Sequence, residues 1–305
     1  VEGVGLQFSA LLGFAVLALY CALYFIPFAL AVSLGTRKWA GDVLWKNVRF
    51  MFAVTMVWVG SEYLRGILFT GFPWNPLGVS QYSNPTIIQI AEWGGVSAVS
   101  AFIVWMNAGF FITFRQYVLG TRSQKYSPHY ELMIGVLPVA LSIAHGTKVL
   151  LNQPTFYEAV QVALVQPNIE QAAKWDDAMD QDIRDRLEEL TTAASRLDGM
   201  DLIIWPETAV PDFVRTSRIS YDLVKRMTQE GTPLLVGSMD VDFHENGRTY
   251  HNSSLLFGPG GEELAKYDKQ HLVPFGEYVP FPGLMRKFTP LDVDFGHGAG
   301  STVLP

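Results

Sequence analysis

Apolar and polar positions divide this chain into two regimes. Residues 6–34 carry no charge at all, and about 20 apolar residues suffice to cross the hydrocarbon core of a bilayer, so this run predicts a spanning helix with length to spare. Residues 48–70, 87–114 and 132–151 form further long apolar stretches, and membrane helices tolerate the Gly and Pro inside them. The pattern predicts about four spans in a transmembrane region over 1–151. Beyond it the periodicity shortens. Residues 159–166 read as a strand ending in Gln-Pro-Asn, and 176–197 place Met179, Ile183, Leu187, Leu190, Ala194 and Leu197 at helical spacing. A short apolar strand at 201–205 runs into Pro206-Glu207, a helix at 220–229 leads to a strand at 233–238, and 250–257 with 263–267 predict a hairpin around Gly258-Pro-Gly-Gly261. Residues 243–248 read as a mobile hairpin tip. Alternating strands and helices predict an α/β domain over 152–305, with site residues on loops at strand ends.

Charge sharpens the division. Residues 1–150 hold nine Lys/Arg against five Asp/Glu, whereas 151–305 hold 13 against 24, within a total of −7. The segment after the first span carries Arg37, Lys38, Lys46 and Arg49, the segment after the third carries Arg115, Arg122 and Lys125, and residues 70–86 have no Lys or Arg. Basic loops stay cytoplasmic. Residues 70–86 and everything after the fourth span are therefore expected on the opposite side, the periplasm of a bacterial inner membrane. The chain starts at Val1 without a basic leader and stops at Pro305 after a Gly-rich segment, which reads as an internal fragment without a cleaved signal peptide.

Within the spans, Glu62 and Arg65 sit three apart on one helical face and Glu92 lies near the start of the third stretch. A charge costs at least about 2.5 kcal/mol at the membrane centre, so such residues mark a pair, a cavity or a bundle interior. The expectation is a Glu62–Arg65 pair near the interface; a substrate-binding role is the alternative. The loop Gly71-Phe-Pro-Trp-Asn-Pro-Leu-Gly78 suits an interfacial aromatic anchor or a lipid-facing mouth. Cys21, the only cysteine, lies mid-span and reads as a small apolar group, which leaves no internal disulfide. The six histidines show no metal-ligand spacing, glycine loops of the nucleotide-binding kinds are absent, and the acidic second half argues against nucleic acid.

Two stretches carry chemistry. Glu207 follows an apolar strand between Pro206 and Pro211, a place where a general base is commonly held. The other stretch, Tyr267-Asp-Lys-Gln-His-Leu-Val-Pro-Phe-Gly-Glu-Tyr-Val-Pro-Phe281, packs Lys269, His271 and Glu277 among two prolines and several aromatics. A lysine held on such a stiff segment can meet a developing oxyanion. If the two loops meet, Glu207 and Lys269 tune each other's ionisation, with Glu277 as a second carboxylate.

Trp205-Pro-Glu207 and Tyr267-Asp-Lys-Gln-His-Leu272 resemble the glutamate and lysine motifs of the carbon–nitrogen hydrolase (nitrilase) superfamily. Phe72-Pro-Trp-Asn-Pro-Leu-Gly78, Ala91-Glu-Trp-Gly-Gly95, Gln166-Pro-Asn-Ile169 with Lys174-Trp175, Pro206-Glu-Thr-Ala209 and His271-Leu-Val-Pro-Phe-Gly-Glu-Tyr-Val-Pro280 look like the segments of its apolipoprotein N-acyltransferase family, in order over nearly the whole chain. The resemblance implies a helical membrane bundle followed by a nitrilase-like α-β-β-α sandwich, incomplete here. It implies Glu207 as general base, Lys269 as stabiliser of the tetrahedral intermediate, Glu277 as an additional glutamate, and Trp175 on a mobile loop near the substrate entrance, with Trp74, Phe72, Phe275 and Tyr278 as substrate-binding aromatics. The family's nucleophilic cysteine follows the lysine loop and has no match here, so the fragment is expected to be inactive. The implied reaction moves an acyl chain from a phospholipid, phosphatidylethanolamine being the usual donor, through a thioester to the N-terminal diacylglyceryl-cysteine of an apolipoprotein. No cofactor is implied. A membrane-tethered amidase or nitrilase, and a non-enzymatic membrane binding protein, are the alternatives.

Overall fold

Long apolar stretches that must satisfy their own backbone groups away from water favour helix in the first half. In a computed structural model, described over residues 2–119, 129–152, 159–170, 174, 176–229, 231–245, 247–286 and 294–301, α1 (Glu2–Leu23) and α2 (Phe25–Lys38) follow one another across a turn at Tyr24. Then come α3 (Leu44–Ile67), the short α4 (Pro85–Ile88), α5 (Ala91–Leu119) and α6 (Tyr130–Leu151). Three helical stretches, Ala10–Lys38, Ala91–Leu119 and Tyr130–Leu151, are long and apolar enough to cross a membrane by length and composition. With 24 residues α3 has the length, but Lys46, Arg49, Glu62 and Arg65 make it more polar, and it stands outside that set. The chain divides into a helical unit, Val1–Thr155, and an α/β unit, Phe156–Pro305.

In the helical unit Phe50, Met51, Val54, Val104, Ala108 and Ile112 form the core between α3 and α5. α5 and α6 approach backbone to backbone at Gly109 and Gly135, where a Cβ on Gly109 would stand 3.2 Å from the Gly135 Cα and 2.9 Å from the Glu131 carbonyl oxygen. A buried polar knot ties the helix ends together. Asn47 Nδ2 donates to the Gly41 carbonyl at 2.9 Å and to Glu131 Oε1 at 2.8 Å, and Gln116 Nε2 reaches the same Gly41 carbonyl at 2.7 Å. Asn47 finds partners for its amide in this way, as most buried polar groups do. The knot fixes the turn from α2 into α3.

The α/β unit is built on one five-stranded sheet whose strand order is the chain order: β1 (Val162–Leu164), β2 (Leu202–Ile204), β3 (Leu234–His244), β4 (Gly247–Phe257) and β5 (Glu263–Asp268). β1, β2 and β3 run parallel, while β4 is antiparallel to both β3 and β5. Consequently β2 and β5 point the same way, and the loops that leave them emerge at one edge. α7 (Asp180–Ser195) and α8 (Arg218–Thr228) pack on the sheet through Ile183, Leu187, Leu223 and Val224, each at most 1% exposed. Each such burial contributes about 1.5–3 kcal/mol. A short α9 (Pro282–Met285) follows. One sheet under one helical layer is half of an α-β-β-α arrangement.

Two expectations change. The hairpin at 243–248 is more fully paired than the alternation suggests: β3 runs on to His244 and β4 starts at Gly247, with Phe243 paired to Arg248 across the ladder. Alternation had stopped the strand at Ser238, but cross-strand pairing sustains the polar run beyond it. Likewise Glu62 and Arg65 make no ion pair with each other among the described residues. Glu62 Oε1 instead accepts from the Leu77 N–H at 2.7 Å and Trp58 Nε1 at 2.9 Å, and Arg65 donates to the Trp74 carbonyl at 3.1 Å. Both charges are spent on the backbone of the 71–78 loop, which holds Asn75 at φ 51°. A cavity of ≈ 260 Å³ opens beside them between Tyr24, Trp58 and Asn75.

Candidate active site

β2 delivers Glu207 through a turn that the surrounding structure fixes closely. Trp205, 2% exposed, continues the parallel ladder by bonding to the Leu235 carbonyl at 2.8 Å, and its indole N–H donates to Thr191 Oγ1 at 2.8 Å. Thr208 then takes a positive φ of 49°, and the Ala209 N–H closes onto the Gly237 carbonyl at 2.8 Å. Gly237 is required here: a Cβ would lie 2.3 Å from the Pro206 carbonyl oxygen and 2.7 Å from the Glu207 Cα. The glutamate is thus pressed against β3 by backbone contact.

β5 delivers Lys269 from the neighbouring direction. Its N–H bonds to the Asn252 carbonyl at 2.8 Å, extending the β4–β5 ladder by one residue. The loop that follows folds back on itself, with the Phe275 N–H on the Tyr278 carbonyl at 2.7 Å, the Glu277 N–H on the Val273 carbonyl at 2.9 Å, and Phe275 at φ 64°. A left-handed aromatic residue costs energy that the rest of the loop must offset, a frequent feature of functional loops. This fold-back aims Glu277 inward, where Oε2 accepts from the Val273 N–H at 2.7 Å.

The three predicted residues meet. Lys269 Nζ lies 3.1 Å from Glu207 Oε1 and 2.9 Å from Glu277 Oε1. Asn252 Nδ2 donates to the same two oxygens, at 2.9 Å for Glu277. Partial burial pulls the Lys269 pKa down, but hydrogen bonds and charge from Glu277 and Glu207 outweigh it and hold the ammonium above the ordinary lysine range. Partial burial pushes Glu277 up, and Asn252, the Val273 N–H and Lys269 more than reverse that, leaving it below the ordinary glutamate range. The Glu277 side chain is 13% exposed against 63% for Glu207. Glu277 is therefore the fixed counter-ion, and Glu207 is the carboxylate open to an incoming group.

Other predicted residues fall elsewhere. Phe275 is half-exposed on the same loop and Tyr278 lies beside His297, their ring centroids 6.2 Å apart. Phe72 and Trp74 belong to the helical unit, stacked at 6.3 Å with Trp74 exposed. Trp175 lies outside the described residues. Two participants were missed. Asn252 carries no catalytic motif of its own, yet the register Ser253↔Asp268 puts it opposite Lys269, a pairing that the hairpin spacing could have revealed. Lys174 donates to the Glu207 main-chain carbonyl at 3.0 Å, and its pKa is lowered by burial, with the charge of Glu207 acting against that.

One further cluster has metal-ligand chemistry: Asp242, His251 and Asp268 offer atoms within 4.8 Å of one another. Cations of the protein already satisfy this corner. Lys266 Nζ sits 2.5 Å from Asp240, 3.4 Å from Asp242 and 3.3 Å from Asp268, and Arg215 binds Asp240 at 2.9 Å. A divalent ion would have to displace the lysine, so the cluster reads as an ion-pair network.

Comparison with known proteins adds an independent line. Residues 4–109 match the family model described as apolipoprotein N-acyltransferase N-terminal domain, and residues 161–299 match the carbon-nitrogen hydrolase model. The chain is 32% identical over 272 residues to an apolipoprotein N-acyltransferase of Geobacter metallireducens, covering 89% of this chain and 50% of that protein. It is 31% identical over 293 residues to one of Brucella melitensis, covering 92% and 51%. The chain thus spans about half the length of the curated relatives it matches. Among solved structures, a carbon-nitrogen hydrolase from Helicobacter pylori aligns over 37% of this chain and 39% of its own at 15% identity, with a TM-score of 0.26.

Proposed function

We propose, from the premise that this chain joins an apolipoprotein N-acyltransferase N-terminal domain to a carbon–nitrogen hydrolase domain, that the protein transfers an acyl chain from a membrane phospholipid to the N-terminal amine of a diacylglyceryl lipoprotein. The observation that carries this reading is the Lys269 ammonium bridging Glu207 at 3.1 Å and Glu277 at 2.9 Å, in a chain whose other unit is rich in membrane-length helices.

The geometry suits acyl transfer through a thiol. Glu207, open to solvent, takes the proton of a cysteine thiol brought to the cleft, and the thiolate attacks the ester carbonyl of the phospholipid. Lys269 faces the oxygen on which charge develops. Because Glu277, itself held by Asn252 Nδ2, accepts from the ammonium at 2.9 Å, Lys269 is oriented before the substrate arrives, which is the condition for electrostatic stabilisation without reorganisation. Collapse of the tetrahedral intermediate breaks the ester C–O bond, the lysophospholipid oxygen takes the proton back from Glu207, and a thioester remains. The lipoprotein amine then attacks the thioester, its proton returning through Glu207. Cys21, the one cysteine of the 305 residues, lies within α1 and is not a candidate nucleophile. The resemblance assigns that role to a cysteine after the lysine loop.

Two lipid-borne substrates suit a membrane-embedded enzyme, since confinement to the bilayer removes much of the search. We place the protein in a bacterial inner membrane as a multi-pass protein, with the α/β unit in the periplasm. The basic segment around Arg37, Lys38, Lys46 and Arg49 supports this orientation.

The test uses the protein as its gene encodes it. Membranes are incubated with a phospholipid bearing a labelled acyl chain, without acceptor, and the protein is probed for hydroxylamine-sensitive label. A label that is lost in Glu207→Gln and Lys269→Met, and that chases onto a diacylglyceryl peptide amine, is expected. Release of the acyl group to water alone would favour a carbon–nitrogen hydrolase acting on small amides. No label at all would overturn the covalent mechanism.

A further inference from the structure

A second pocket lies in the helical unit, a unit separate from that of the Glu207 cluster. Trp39, Trp45, Val48, Arg49, Phe52, Ala53 and Trp105 line a pocket of ≈ 420 Å³ where the end of α2 meets α3 and α5. Its walls are almost wholly apolar side chain, with Arg49 the one charged residue among the lining residues. Two cations lie over its rings: Lys38 Nζ is 5.3 Å from the Trp39 ring centroid, and the Arg49 guanidinium carbon is 5.9 Å from that of Trp45. Arg37 and Lys46 add two more positive charges on the same turn and helix start, against Asp42 alone.

These cations are not consumed by the fold. Among the described residues Arg37, Lys38, Lys46 and Arg49 make no ion pair, whereas nearby Arg115 is committed to the Ala40 carbonyl at 3.0 Å. The backbone beneath them is held rigidly, since the Gly41 N–H bonds to Asn47 Oδ1 at 3.0 Å while Asn47 and Gln116 both grip the Gly41 carbonyl. Cations on a fixed turn, beside an apolar slot open to 57–63% exposed Phe52 and Trp45, are complementary to a molecule with an acyl chain and a negative head. A topology signal alone needs the charges but not the slot.

We propose that this pocket binds one anionic phospholipid, its acyl chain between Trp39, Trp45, Phe52 and Trp105 and its phosphate between Lys38 and Arg49. The proposal rests on the helical unit lying in a bilayer, and is independent of acyl transfer. Basic pockets between membrane helices recognise anionic head groups through this combination of charge and apolar contact.

The experiment reconstitutes the full chain into bilayers of phosphatidylcholine mixed with a brominated-chain lipid and reads quenching of tryptophan fluorescence. Brominated phosphatidylglycerol is expected to quench more strongly than brominated phosphatidylcholine at equal mole fraction, the excess fading in high salt. The double variant Lys38→Gln/Arg49→Gln should lose about 30-fold of the preference, from roughly 1 kcal/mol per cation near the surface. Lys148→Gln, at the far end of α6, should keep it. Inorganic phosphate should not compete; if it abolishes the preference, the site reads a free anion and the lipid assignment falls. Equal quenching by both lipids, or a preference that survives the double variant, overturns the proposal. Failure of either lipid to quench overturns the membrane reading together with it.

Discussion

Replacing Gly237 with Ala gives the most direct measure of how the Glu207 turn is held. A Cβ there would stand 2.3 Å from the Pro206 carbonyl oxygen and 2.7 Å from the Glu207 Cα. Ordinary contact begins near 3.4 Å, so one backbone must retreat by about 1 Å. Neither can do so freely. Gly237 pairs with Ser254 in the middle of the β3–β4 ladder, and Glu207 sits on a turn closed by the Ala209 N–H on Gly237 itself. Overpacking of this kind costs about 1–3 kcal/mol, which for a unit of this size lowers the melting temperature by roughly 2–12 °C. A 1 Å retreat also separates Glu207 from Lys269, and misplacement on that scale can cost about 100-fold in rate. The assays are a thermal melt of the purified protein and the rate of thioester labelling. Gly237→Ser should behave like Gly237→Ala, since the clash begins at Cβ. A Gly237→Ala protein with an unchanged melt and labelling within threefold of wild type would refute the close approach as the device that positions Glu207.

The remaining expectations concern single contacts. Glu277 has a folded pKa below its ordinary value of 4.5, so its stabilisation is complete above that value and is lost as pH falls through the folded pKa; acid unfolding of the α/β unit should show this loss, and Lys269→Met should shrink it. Trp205→Phe removes the donor to Thr191 Oγ1 at 2.8 Å while the hydroxyl keeps its own donation to the Leu187 carbonyl at 2.6 Å, so the lost bond should destabilise the unit by about 0.5–1.5 kcal/mol in urea titration. Glu62→Ala releases the Leu77 N–H and Trp58 Nε1 and should expose the 71–78 loop to chymotrypsin at Trp74, Phe72 being shielded by Pro73. Glu62→Gln, which keeps an oxygen acceptor, should resist. Equal cleavage of the two variants would show that the carboxylate does not hold the loop.

How much of this was written in the sequence depends on the range of each interaction. The helices and strands were legible because their signals are local: Ile183, Leu187, Leu190 and Ala194 repeat at helical spacing, and all four lie in or against the core beneath the sheet. The adjacency of Glu207 and Lys269 could be expected from strand ends, since both follow apolar strands that a chain-ordered sheet aligns. Asn252 was hidden because its role depends on register across two strands, which side-chain pattern alone does not state. The partners of Glu62 and Arg65 were hidden for a related reason. Both contacts are to main-chain groups of a loop, Leu77 N–H and the Trp74 carbonyl, and backbone groups look alike at every position.

The identity of strand order and chain order in the sheet has a kinetic corollary. Each strand, as it is added, finds its partner already made and immediately upstream, so no ladder waits for a distant segment. The longest of these pairings, β3 with β4, joins strands whose ends, His244 and Gly247, are close in the chain, and short loops close quickest. A unit of this design can zip from its N-terminal edge as the chain is made, exposing only one unpaired strand at a time to aggregation. Glu207 is then in place early, and Lys269 and Glu277 arrive last. Any reactive group they serve is switched on only when the sheet behind it is complete.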